Sequence, residues 1–196
     1  MLVARSVVSA LTLALAAVPL AAQDRGVVFF ARGGGFNGLS TLDDPGTRDF
    51  KRVGYNVGGG VGVQLQRYVT LRGDFNFNRN EMRLNDLRTG TKVNRLFYDA
   101  ALQLQYPTAS GFEPYVFAGG GAVTIDESGV SATETKGAGT FGLGFNYRFP
   151  NSPFGLFVEG KSWVYNTSGL RGSLAGFDKT QYELAWSGGL SYKVRW

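Results

Sequence analysis

Two glycine-rich stretches have the spacing of a dinucleotide-binding loop. The pattern GxGxxG occurs at residues 33–38, directly after the hydrophobic run VVFFAR, and again at residues 137–142. In a nucleotide site, the helix that follows the glycines binds the pyrophosphate at its N-terminus. The first stretch continues as LSTLDDPGTRDF, with a Pro-Gly turn, and the second as LGFNYRF, which alternates like a strand. Neither stretch therefore predicts a nucleotide site.

The residues left for catalysis are carboxylates without a histidine. The 196-residue chain contains no histidine and no cysteine, which removes the commonest general base, the commonest metal ligand and any thiolate ligand. A Ser-His or His-Asp centre is therefore excluded. The carboxylate pairs Asp43–Asp44 and Asp126–Glu127 lie in polar segments typical of solvated turns. The sequence predicts no enzyme, no metal site and no other cofactor.

The first 22 residues have the composition of a secretory signal peptide. MLVARSVVSALTLALAAVPLAAQ places Arg5 before an apolar stretch that ends in small residues, and we expect cleavage after Ala22. The apolar stretch is shorter than the roughly 20 residues of a spanning helix, and Ser9, Thr12 and Pro19 interrupt it. We expect residues 23–196 to form a single exported domain.

From residue 26 onward the hydrophobic pattern has a period of two. In QYELAWSGGLSYKVRW, for example, Leu190 and Tyr192 lie on one face, and Glu183 and Lys193 lie on the other. Such alternation predicts strands with one apolar and one polar face. Eight segments of this kind are present, each of roughly 10 residues or more and long enough to cross a bilayer at a tilt. Short connections (66–68, 107–111, 150–153) alternate with long polar ones (39–49, 81–91, 126–135, 166–180).

Side-chain volume indicates which face of these strands is inside. The apolar faces are dense with Phe, Tyr, Trp, Leu and Val, whereas Gly, Ala, Ser and Thr thin the polar faces. Because the interior of an eight-stranded barrel is just wide enough for side chains to fill, we expect the large apolar set to contact lipid. The glycines should lie largely in the crowded lumen or at bends. Since open sheet edges are not tolerated in hydrocarbon, the predicted fold is an all-β, eight-stranded antiparallel up-and-down transmembrane β-barrel.

Three segments resemble parts of known bacterial outer-membrane proteins. GLSYKVRW at the C-terminus resembles their insertion signal, in which the last strand alternates apolar residues and ends on an aromatic residue. PYVFAGGGA (114–122) and LFVEGK (156–161) are similar to segments of small OmpA-like or opacity-type barrels. The resemblance implies an outer-membrane location with both termini in the periplasm, surroundings of lipid and lipopolysaccharide, and insertion by the β-barrel assembly machinery. The implied assembly signal is Leu190, Tyr192, Val194 and Trp196.

The polar face predicts a lumen filled by ion pairs. The residues expected in this network are Arg52, Arg72, Asp74, Arg95, Asp99, Arg148, Glu159, Lys161 and Glu183. Counted from the short turns, Arg72, Asp74, Asp99, Glu159 and Lys161 fall at comparable, central depths. An unpaired charge inside a low-dielectric wall costs several kcal/mol, so we expect these side chains to pair and plug the barrel. The alternative is a narrow pore for ions or small solutes, because lumen glycines leave less filling.

The long connections are the expected functional surface, because exposed loops on a rigid scaffold carry binding. Around the second of them lie Arg79, Arg83, Arg88 and Lys92. This basic cluster could hold lipopolysaccharide phosphates or an acidic surface polymer, or it could be an ordinary charged loop. The net charge of +5 is spread over lumen and loops, which does not indicate nucleic-acid binding. The sequence thus predicts a structural or surface-binding barrel with an unidentified ligand, and a monomer because closure removes the sheet edge.

Overall fold

The described residues of the computed structural model, 25–40, 48–49, 53–84, 87–127, 133–169 and 179–195, form strands and short turns. The strands are β1 Gly26–Gly38, β2 Arg48–Asp49, β3 Gly54–Gln66, β4 Val69–Leu84, β5 Leu87–Gln105, β6 Phe112–Glu127, β7 Thr133–Arg148, β8 Phe154–Asn166 and β9 Thr180–Arg195. The two GxGxxG stretches begin inside β1 and β7 and are not followed by a helix within the described residues. No helix in these ranges is long and apolar enough to cross a membrane.

The sheet closes on itself. Each of the eight long strands pairs antiparallel with its neighbour along the chain, and β1 also pairs with β9 from Gly26↔Arg195 to Gly38↔Glu183. The two-residue strand β2 lies outside this cycle and pairs only with the end of β4. Closure provides partners for the edge that a bilayer cannot solvate. The predicted eight-stranded antiparallel up-and-down barrel is therefore confirmed.

The two ends of the barrel differ. One end, here called the turn end, carries the short connections after β3, β5 and β7 together with Gly26 and Arg195. The opposite end, here called the loop end, carries the other connections. The prediction of a long loop at residues 81–91 is wrong: β4 and β5 continue pairing through Glu81↔Lys92 and Arg83↔Arg88 to Leu84↔Leu87. The ladder continues past the apolar belt because backbone pairing does not require amphipathic side chains.

The outer wall is apolar, as predicted. The exposed outward side chains include Val61, Phe75, Leu143, Val158 and Leu190. However, the lipid-facing set does not include every aromatic residue of the strands. The lumen also holds aromatic side chains, namely Phe36, Phe97, Tyr115, Phe117, Phe157, Trp163 and Tyr165.

Glycines on neighbouring strands make room for several of these inward rings. A Cβ on Gly144 would stand 2.6 Å from the Tyr115 ring, and one on Gly189 would stand 2.6 Å from the Phe157 ring. A Cβ on Gly142 would collide with the ring of Phe117. The side-chain volume argument does not apply to these positions, because it compared the average side-chain size of the two faces. Each of these rings instead fills the space next to a particular glycine.

The Gly33–Gly34–Gly35 run allows a direct test of close packing at the barrel seam. A Cβ on Gly34 would lie 2.7 Å from Ser187 Cα and 2.9 Å from the Trp186 carbonyl carbon, whereas a Cβ on Gly33 meets no atom closer than 3.9 Å. We expect Gly34→Ala to lower the free energy of unfolding by about 1–3 kcal/mol, because the β1–β9 backbones must separate. Gly33→Ala should leave it unchanged or raise it by about 0.5 kcal/mol. Urea unfolding in lipid vesicles measures both, and equal effects at the two positions would contradict the packing argument.

Candidate functional site

Six ionisable side chains meet in the middle of the lumen and are here called the central ion group. They are Arg32 on β1, Arg72 and Asp74 on β4, Asp99 on β5, and Glu159 and Lys161 on β8. All six are buried. Three are cations and three are carboxylates, so the group carries no net charge in its ionised form. Its six residues lie on four strands, so the group connects distant parts of the barrel wall.

Two arginines hold the same two carboxylates. Arg72 Nε lies 2.8 Å from Asp74 Oδ2, and Arg72 Nη1 lies 2.9 Å from Glu159 Oε2. The Arg32 guanidinium also donates to both Asp74 and Glu159. Each carboxylate therefore bridges two guanidinium groups, a charge-assisted arrangement that is stronger than a neutral hydrogen bond.

Lys161 extends the group toward the loop end. Its Nζ lies 2.8 Å from Asp99 Oδ1 and 3.6 Å from Asp74 Oδ1. The second Asp99 oxygen accepts a hydrogen bond from the Trp163 indole at 3.1 Å. On the other side, the Tyr115 hydroxyl donates to Glu159 Oε2 at 3.0 Å. The buried charges thus have hydrogen-bond partners as well as opposite charges, which buried ions need to be tolerated.

Aromatic side chains lie next to the central ion group on its loop-end side. This aromatic layer comprises Phe36, Phe97, Trp163 and Tyr165, with Phe97 and Trp163 stacked at 4.4 Å between ring centroids. Above it, Arg95 Nε lies 3.0 Å from Glu183 Oε1, and the Tyr165 hydroxyl donates to the same oxygen at 2.8 Å. The apolar layer and this second ion pair narrow the lumen further.

The wall formed by β3 and β4 in the same half of the lumen is polar. Asn56, Asn76 and Asn78 point inward and are buried, and Asn56 donates to Asn78. Neither polar atom of the Asn76 side chain has a hydrogen-bond partner within the described part of the chain. One side of the lumen is therefore lined by rings and the other by amides.

A small cavity lies between the central ion group and the turn end. Its volume is about 50 Å³, and Arg72, Tyr115 and Glu159 line its inner side. Near the turn end, Glu113 accepts from Arg148 at 2.6 Å and from Asn146 at 3.0 Å. A cavity of this size holds only a few water molecules.

Comparison with known families decides what this barrel is. The sequence profile of the family described as "Outer membrane protein beta-barrel domain" matches residues 8–193. The chain belongs to this family. The resemblance to small bacterial outer-membrane barrels is thus confirmed. Membership of this family indicates that the chain is located in the bacterial outer membrane.

Solved structures of outer-membrane proteins match this chain at low sequence identity. Neisserial surface protein A is 14% identical, with a TM-score of 0.59, over 86% of this chain and 97% of that one. OprG from Pseudomonas aeruginosa (18% identity, TM-score 0.49) and Ail of Yersinia pestis in complex with the heparin analogue sucrose octasulfate (12%, 0.48) each match 87% of this chain and 97% of their own. A comparison with curated protein sequences found no match. At 14% identity, the likeness to Neisserial surface protein A indicates the fold alone.

The barrel brings together the five residues expected at central depth and adds Arg32 to them. The other predicted lumen residues lie elsewhere. Arg95 and Glu183 form a separate pair near the loop end, and Arg148 pairs with Glu113 near the turn end. The aromatic layer lies between the central ion group and the Arg95–Glu183 pair. Arg52 lies outside the described residues.

Arg32 is the member of the central ion group that sequence reasoning missed. It shares the inward face of β1 with the aromatic residues Phe30 and Phe36, so this strand has weak polar contrast. Its guanidinium lies 5.0 Å from the centroid of the Phe30 ring. A charged residue at the centre of a membrane strand was the signal available, because such a residue must face the lumen.

Five of the other predicted site residues lie on the outer wall. Leu190, Tyr192 and Val194 point outward from β9, and Trp196 lies outside the described residues. Arg79 and Lys92 are on the outer faces of β4 and β5 rather than in a loop. Arg83 and Arg88 face each other in the register of the extended hairpin, and their side chains lie outside what the structure describes.

Proposed function

We propose that this protein is a sealed outer-membrane barrel with a structural or surface-binding role, exercised through its loop end. The observation that carries the proposal is the central ion group, which is buried, neutral and shared among four strands. An ion crossing the lumen would have to separate guanidinium groups from carboxylates in a low-dielectric interior, at a cost of several kcal/mol. The aromatic layer narrows the lumen on the side opposite the amides of Asn56, Asn76 and Asn78.

The orientation follows from the way outer-membrane barrels are built, with short turns in the periplasm and longer connections outside. The first residue of β1, Gly26, and the last residue of β9, Arg195, both lie at the turn end. We therefore place the N- and C-termini in the periplasm. The outward residues of β9 then serve as the signal for the assembly machinery. Closure leaves the barrel without a free edge, which supports a monomer.

The loop end presents the binding surface in this proposal. Of the strand pairs connected at the loop end, the β4–β5 hairpin is the longest, and it carries Arg83 opposite Arg88. A basic projection is suited to an acidic ligand at the cell surface. The ligand class that this surface favours is an anionic polymer.

A narrow pore for ions or small solutes is the second candidate. The turn-end cavity and the amides of Asn56, Asn76 and Asn78 lie on opposite sides of the central ion group. If that group opened, the polar wall and the cavity would form a continuous hydrated path. The two candidates therefore differ in whether the central ion group stays closed.

Single-channel recording of the refolded mature chain in planar bilayers separates these candidates, after a heat-shifted gel band confirms the folded barrel. We expect the wild-type protein to be silent. The double variant R72S/E159S removes one cation and one anion from the central ion group, and we expect it to conduct in small steps. The matched control E113S/R148S removes a pair near the turn end and should stay silent. Reproducible steps from the wild-type barrel would contradict the sealed barrel and support the pore.

A further inference from the structure

A groove on the outer wall lies where the apolar belt of β3–β5 meets the polar extension of the hairpin. It has a volume of about 540 Å³ and is lined by Val53, Gly54, Tyr55, Arg79, Asn80, Glu81 and Lys92. Val53, Tyr55 and Lys92 are exposed, and Arg79 is half-buried. The groove is separate from the lumen and from the central ion group.

The register arranges the wall beneath and around this groove in levels. The lowest level is apolar, with Val57 opposite Phe77 and Phe77 opposite Leu96. In the next level Tyr55 lies opposite Arg79, and the Tyr55 and Phe77 rings are 6.1 Å apart.

The highest level pairs Glu81 with Lys92. From the lowest to the highest level, the surface thus changes from apolar side chains to an aromatic ring beside a cation and then to two charged side chains. Such a change marks the boundary between membrane and water.

The two cations of the groove are available for a ligand. Neither Arg79 nor Lys92 forms an ion pair with any residue that the structure describes. Glu81 contributes one negative charge, so the groove has a net charge of +1. Because Glu81 lies in the level above Arg79, the guanidinium next to Tyr55 is the deeper of the charged groups.

We propose that this groove binds a phosphorylated glycolipid of the outer leaflet, the lipid A part of lipopolysaccharide. Arg79 and Lys92 contact its phosphates, and the wall of Val57, Phe77 and Leu96 contacts an acyl chain. Arginine suits this position because its guanidinium can bind phosphate with two parallel hydrogen bonds.

The apolar level below the cations distinguishes a lipid from a soluble polyanion. Val57 is 50% exposed and Leu96 is 42% exposed on the same wall, so a ligand with both phosphates and acyl chains satisfies both parts of the groove. A soluble anionic polymer would use only the charges. This binding site rests on the barrel orientation of the proposed function, because the loop end must face the outer leaflet. It does not depend on a sealed lumen.

Binding is measured by titrating the full mature barrel, refolded in zwitterionic detergent, with fluorescently labelled lipopolysaccharide that carries both lipid A phosphates. We expect R79Q/K92Q to weaken binding by about tenfold or more, since the variant removes both cations that donate charge-assisted hydrogen bonds to phosphate. Dephosphorylated lipopolysaccharide should bind the wild-type barrel as weakly as the phosphorylated form binds the variant. E81Q should bind the phosphorylated lipid as tightly as the wild type or more tightly, a result that misfolding cannot produce.

The matched control is R67Q, which removes an exposed cation at the turn end, where the Arg67 guanidinium lies 5.5 Å from the centroid of the Tyr68 ring. Its affinity should equal that of the wild type. Equal affinity of the wild type for the phosphorylated and dephosphorylated lipid would overturn the proposal. Competition by inorganic pyrophosphate as effective as that by unlabelled lipid would also overturn it, because the apolar wall would then contribute nothing. These outcomes leave the conductance result unaffected, so the two proposals can fail separately.

Discussion

Replacing Glu159 with alanine is expected to lower the free energy of unfolding by about 3–5 kcal/mol, because removing one member of a buried ion pair leaves its partners uncompensated. Glu159 accepts hydrogen bonds from Arg32, from Arg72 at 2.9 Å and from Tyr115 at 3.0 Å. Its loss leaves three buried cations facing two carboxylates. Urea unfolding in lipid vesicles, followed by tryptophan fluorescence and by the heat-shifted gel band, measures the change.

Glu113 provides the matched control for this variant. Its partner Arg148 is partly exposed near the turn end, so water can replace the lost interaction. We expect Glu113→Ala to cost about 1 kcal/mol or less. If Glu159→Ala were no more destabilising than Glu113→Ala, the central ion group would not stabilise the barrel as proposed.

Trp163→Ala is expected to cost about 3–5 kcal/mol, because it removes the largest fully buried side chain of the described residues and leaves a cavity in the lumen. The indole stacks on Phe97 at 4.4 Å, and its Nε1 donates to Asp99 at 3.1 Å. The same vesicle unfolding experiment, read by the gel band because the fluorophore is changed, gives the loss in stability.

Two further variants separate the contributions of Trp163. Trp163→Phe keeps an aromatic ring next to Phe97 but loses the hydrogen bond to Asp99 and part of the buried ring volume, so we expect a smaller cost of about 1–3 kcal/mol. Trp186→Ala removes an exposed indole from the outer wall, where lipid tails can fill the space. The cost of Trp186→Ala should therefore be well below that of Trp163→Ala. Equal costs for the two alanine variants would show that the aromatic layer is not packed as a core.

The stability of this barrel is therefore expected to depend on its lumen more than on its outer wall. Residues outside the lumen exchange contacts with protein for contacts with lipid when they are truncated. Lumen residues such as Asp99 and Trp163 contact other lumen side chains, including Lys161 and Phe97, and lipid cannot replace these contacts. This difference explains why the largest predicted effects come from Glu159 and Trp163.

Much of the fold follows from the sequence alone. A period of two, continued over eight segments, is enough to predict strands with a lipid face, and the absence of unpaired edges in hydrocarbon requires closure. The inward positions of Arg72, Asp74, Asp99, Glu159 and Lys161 follow from the same alternation. The exclusion of histidine-dependent catalysis follows from composition.

Only the tertiary structure decided which lumen residues meet. Arg32 pairs with Asp74 and Glu159, which lie 42 and 127 residues away along the chain. The stagger between strands brings these residues together, and the alternation within a single strand does not predict that stagger. The rings of Phe117 and Trp163 could be assigned to the lumen only once neighbouring strands and their glycines were in register. Alternation determines which face a residue occupies, whereas register and strand tilt determine its neighbours.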